Sequence, residues 1–192
     1  MNQKSLADKS RTLEESFFRD RDQGLLEYLR SQPVELRTQL AEISQIDDVE
    51  VLNGLIRIGI TAESFTALTL LPLVRIAWAD REVQDSERAA ILQAARAENI
   101  LVDSTSYRLL EGWLDERPKP ALFESWSEYA GALARELDDV SLAAVRQSTL
   151  DRARRIAETA GGILGLGKRI TKTEELALID LARSFDKPSE LL

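Results

Sequence analysis

The chain has no cysteine and no histidine. Those two absences remove disulfides, thiolate nucleophiles, Cys/His zinc sites and the Ser-His-Asp triad together. Any bound metal would be a hard cation held by oxygen ligands. Any general acid or base would be Asp, Glu, Lys or Tyr. The lack of cysteine also fits a reducing, cytoplasmic setting. The opening residues, MNQKSLADKSRTLEESFF, contain no apolar segment of signal-peptide type. No run reaches the ~18 apolar residues of a membrane span. The longest apolar stretch, FTALTLLPLVRIAWA, is broken by Pro72 and Arg75. Sustained period-two alternation between turn residues is missing too, so no strand is expected and the chain reads as all-α.

The 192 residues suffice for one domain, or a domain with an appendage, and 44% hydrophobic content supports a sizeable core. There are 33 acidic and 25 basic residues, a net charge of −8. That balance favours solubility and argues against nucleic acid or an anionic membrane surface as the main partner.

The periodicity predicts about seven to nine helices. Residues 5–31 form an amphipathic helix whose stripe carries Leu13, Phe17, Leu25 and Leu29, with a polar gap at Asp20, Arg21 and Asp22. A second helix starts at Pro33, and a third ends at Gly59. From Ala62 to about Asp80 an apolar helix is kinked at Pro72, or is two helices end to end. Further helices open near Asp85, near Asp103 or Ser104, after the RPKP turn, at about residue 140 and at about Lys172. The aromatic residues Trp78, Trp113, Phe123, Trp126 and Tyr129 read as core rather than as a stacking platform.

Two stretches overlay. REVQDSERAAIL (81–92) matches KRITKTEELALI (168–179), pairing Val83 with Ile170, Glu87 with Glu174 and Ala90 with Ala177. In each, a helix ends, one β-branched residue turns inward, and a new helix begins. Thr171 with Glu174 is a capping box, and Gln84 with Glu87 is a weaker version for which Asp85 is an alternative cap.

With the helix before it, the first copy reads LPLVRIAWADREVQDSERAAIL. It resembles the tellurite-resistance TerB-like family. Members tend to show a helix ending in Ala-Asp-Gly, then a β-branched residue, a cap, and a Glu that opens the next helix. Ala79, Asp80, Val83 and Glu87 match, and Arg81 replaces the glycine. GKRITKTEELALIDLARSF is similar to the family's C-terminal counterpart, so the resemblance covers roughly residues 60–186. It implies an all-helical domain over residues 49–192, with residues 1–48 as an N-terminal helical extension. It also implies a link to stress or metal-ion responses, an acidic cluster proposed to hold a divalent cation, and no established enzymatic activity. Glycine at position 81 would permit a left-handed backbone, which arginine adopts at a steric cost.

The acidic residues Asp80, Glu82, Asp85 and Glu87, with Glu174 from the second copy, are the candidate metal ligands for Ca²⁺, Mg²⁺ or Mn²⁺. The spacing is not that of an EF-hand. Helix chemistry is the competing account, since Asp85 and Glu87 near a helix N-terminus stabilise its dipole by ~0.3–1 kcal/mol each without a metal. GILGLGKR (162–169) approaches a P-loop, but Arg169 stands where a hydroxyl should hold Mg²⁺, and a helix rather than a strand precedes it. The repeat makes these glycines a helix end. The apolar stripe of the N-terminal arm needs cover from its own domain, from an unknown partner protein or from a second copy in a homodimer. The expectation is a non-enzymatic cytoplasmic protein of stress or metal-ion response that acts by binding, with a divalent cation at the acidic cluster as a candidate ligand. The alternative is a pure protein-interaction module, co-chaperone- or scaffold-like, with no metal.

Overall fold

A computed structural model describes residues 34–160 and 170–186. The predicted arm helix over 5–31 and the Gly-rich segment GILGLGKR lie outside the described residues. Among the described residues there are nine helices and no strand. No helix among them is long and apolar enough to cross a membrane.

Helix α1 runs through residues 34–44, followed by α2 (Val49–Arg57), α3 (Phe65–Thr69), α4 (Leu71–Ala77) and α5 (Asp85–Ala97). Then come α6 (Thr105–Asp115), α7 (Pro120–Glu136), α8 (Asp139–Ala160) and α9 (Lys172–Arg183). Their boundaries follow local chemistry. The Asp48 carboxylate caps α2, accepting from the N–H groups of Glu50 at 3.1 Å and Val51 at 3.2 Å. The Val51 bond, aided by the Arg135 guanidinium, holds that carboxyl below its ordinary value. Gly59, at φ 85°, takes the left-handed turn after α2. Ser104 caps α6 through the Tyr107 N–H at 3.2 Å. Pro120 opens α7 at a position where a missing N–H costs nothing.

The apolar stretch resolves into two helices rather than one kinked helix. Leu70 closes α3 and opens α4, and Pro72 sits in the first turn of α4. Every α4 residue but Arg75 is buried. A helix apolar on all sides belongs inside, and α4 packs against α3, α5, α6, α7, α8 and α9. Each of its large side chains contributes about 1.5–3 kcal/mol by leaving water. Leu40 and Ile46, within the region read as extension, lie fully buried in the same core. The α1–α2 loop is further tied to the end of α7 by Arg135–Asp48 at 2.7 Å.

Trp113, Trp126 and Tyr129 are buried, as expected of core residues. Trp126 meets Phe185 edge-on at 5.7 Å, and Tyr129 meets Phe65 at 5.4 Å. Trp78 and Phe123 are half-buried and line an open groove of about 900 Å³ beside the RPKP turn. The Arg75 guanidinium lies 5.9 Å over the Phe123 ring and pairs with Asp180 at 3.3 Å.

Candidate functional site

The loop after α4 and the head of α9 meet. The chain leaves α4 in a turn closed by the Arg81 N–H donating to the Trp78 carbonyl at 3.1 Å. Arg81 itself is left-handed, at φ 73°. The backbone shape that glycine would allow is therefore present, held by an arginine. This turn presents Asp80 to the start of α9. Asp80 Oδ1 accepts from the Thr171 hydroxyl at 3.2 Å and also from the Thr173 hydroxyl.

Beneath that contact lie the two matched glutamates. Glu87 and Glu174 each occupy the third position of their helix, and both are buried, with 3% and 1% exposure. Glu174 Oε2 accepts from the Thr171 N–H at 2.6 Å, and Thr171 Oγ1 accepts from the Glu174 N–H at 3.2 Å, which completes the box. Glu87 Oε2 accepts from the Gln84 N–H at 2.9 Å. The cap of α5 is thus Gln84, and Asp85 stands in the first helical turn rather than at the cap. Val83 and Ile170, the inward residues of the two copies, both pack against the core.

Burial pushes the Glu87 carboxyl up to about 7. The negative charges of Glu174 and Asp80 push in the same direction, while the Gln84 N–H pulls against them. The fold therefore brings Asp80 and Glu174 within electrostatic reach of Glu87. Glu82 and Asp85 are exposed and take no part in this joint. Among the described residues no group of three or more carboxylates is arranged so that it could hold a metal ion.

Thr173 was not singled out by sequence reasoning, although its hydroxyl is a partner of Asp80. Its signal was thin: a second threonine in TKTEE, two places past the cap. Trp78, next to the turn, is fixed by its indole N–H donating to the Trp113 carbonyl at 2.8 Å.

No family model matches the chain, and no curated protein or solved structure matches it.

Proposed function

We propose that the chain is a non-enzymatic, TerB-like helical module of stress or metal-ion response. It acts in the cytoplasm by docking a partner protein, and its acidic joint is a clasp between the two repeat copies. One observation carries this reading. Each carboxylate of the joint already has a partner within the protein: the buried Glu87 and Glu174 satisfy backbone N–H groups, and the exposed Asp80 accepts from two hydroxyls. The left-handed Arg81 adds support for the TerB-like part, because it keeps the turn that the family's glycine would permit.

The second reading is a divalent cation at the joint. What favours it is the raised Glu87 carboxyl, which feels both Glu174 and Asp80. A cation would relieve that repulsion, at the expense of the threonine hydrogen bonds to Asp80.

Calorimetric titration of the full chain with Ca²⁺, Mg²⁺ and Mn²⁺, at a pH above 7 so that Glu87 is ionised, separates the two. The clasp reading expects no saturable heat. Saturable binding in the wild type that disappears in Asp80→Asn would replace it with the cation reading. Equal binding in both proteins would place a cation elsewhere and end the metal reading for this loop.

A further inference from the structure

A second groove, on the α2 side of the RPKP turn, shares no residue with the acidic joint. It encloses about 500 Å³. Its walls are residues 57–60 at the end of α2, one face of α6, the turn at 117–119 and the first turn of α7. On α6 the lining positions are Leu109, Gly112, Trp113 and Glu116, spaced i, i+3, i+4 and i+7. Two features of this groove are not required by the fold. The first is Gly112, which lies inside α6. Glycine is a poorer helix former than alanine, because it leaves the unfolded chain freer. Gly59, at the end of α2, needs its left-handed φ, whereas Gly112 has no positive φ. Beyond the adjoining chain of its own helix, no atom of the described residues stands within 4 Å of the place a Cβ would take. Neither a turn nor close packing demands this glycine, and its effect is to widen the groove. The second feature is charge. Arg57, Arg117 and Lys119 line the groove against one acid, Glu116, in a chain with 25 basic and 33 acidic residues. All three cations are exposed, and among the described residues none of them takes part in an ion pair.

We propose that this groove docks an acidic peptide segment of a partner protein, one that carries a large apolar side chain among its carboxylates. The inference rests on the reading that the chain acts by docking a partner, and it gives that docking a place and a chemistry. The apolar side chain fills the space over Gly112, against Leu109 and Leu122, and the carboxylates meet Arg57, Arg117 and Lys119. Arginine suits that task, because its planar guanidinium takes a carboxylate through two parallel hydrogen bonds. A free small molecule is the poorer occupant. Such ligands are enclosed over about 70–90% of their surface, whereas most of the residues lining this groove are exposed. An open trough holds an extended chain along one side. Nucleic acid is poorer still, because its charge repeats along its whole length and three cations engage only a short piece of it against a net charge of −8.

Short random peptides displayed on phage are selected against the full-length chain. The enriched peptides are then made with a fluorescent label, and their affinity is measured by anisotropy. Peptides rich in Asp and Glu, with Leu, Phe or Trp among them, are expected. Arg117→Glu with Lys119→Glu should weaken their binding about tenfold or more, because attraction becomes repulsion. Gly112→Leu should weaken it as far by filling the groove. Leucine is also the better helix former, so thermal unfolding of this variant should show no loss. The exposed charge pair keeps the test decisive if the leucine variant misfolds. No enriched peptide, or enriched peptides that are neutral or basic, would overturn the proposal. Peptides that bind wild type and variants alike would remove this groove and leave the docking reading in place; that reading has its own test in the cation titration. Single-stranded DNA whose binding is lost in the same variants, or a change of oligomeric state in Gly112→Leu by light scattering, would assign the groove to another occupant and also overturn it.

Discussion

Arg81 and Glu87 are two places where this chain departs from ordinary residue preferences. A left-handed backbone costs a residue with a Cβ roughly 1–2 kcal/mol, and glycine recovers that at the expense of a more flexible unfolded chain. Arg81 is exposed, so little packing is lost on removing it. Arg81→Gly is therefore expected to raise the unfolding free energy by roughly 0.5–1 kcal/mol in urea denaturation. Arg81→Ala keeps the strain and should show no gain. Glu87 holds its proton up to about pH 7 in the fold, against an ordinary value of 4.5. The folded state thus binds that proton more tightly than the unfolded state does, and stability contributed at this position falls as pH rises. Below pH 4.5 the burden is absent; it builds between 4.5 and about 7 and is complete above that. Glu87→Gln keeps an acceptor for the Gln84 N–H but cannot ionise. The stability of this variant relative to wild type should increase across that window and then level off, as measured by denaturation at successive pH values.

Pairs of helices are joined by contacts that cap rules only half describe. Thr171 caps α9 as its T-x-x-E pattern predicts, yet the same hydroxyl reaches across to Asp80. The cap was legible because it acts over three residues. The bridge was not, because it links positions 91 apart in sequence. A double-mutant cycle on Asp80→Ala and Thr173→Ala should return a coupling energy of about 0.5–1.5 kcal/mol, in the range of a charge-assisted hydrogen bond at a partly wet site. Coupling near zero would mean that the Thr173 hydroxyl adds nothing to the bridge, leaving the Thr171–Asp80 bond and core packing to hold the joint. Pro72 illustrates the same division. The sequence allowed one kinked helix or two in line, and both satisfy the ring. Helix packing selected the second arrangement, in which Leu70 ends one helix and begins the next.

The whole molecule is organised around α4, and the largest mutational costs should fall there. Ile76 is fully buried on that helix, whereas Val140 is 81% exposed on α8. Ile76→Ala should cost about 2–5 kcal/mol in thermal or urea unfolding, and Val140→Ala less than about 0.5 kcal/mol. The residues by themselves determined the helical class, most helix starts and stops, the burial of Trp113, Trp126 and Tyr129, and the exclusion of thiol, imidazole and Cys/His zinc chemistry. These depend on composition and on periodicity, which operate within about one helical turn. They also pointed to Asp80, Glu82, Asp85, Glu87 and Glu174 as the acids to examine, and the repeat put Glu87 and Glu174 in matching places. Only the tertiary structure decided what those acids do. Packing α9 against α4 and α8 brings Thr171 and Thr173 onto Asp80 and turns both glutamates inward, while Glu82 and Asp85 remain at the surface. Local rules fix which carboxylates stand at helix heads. Whether those heads face each other depends on how the helices stack, and that is set by the whole core.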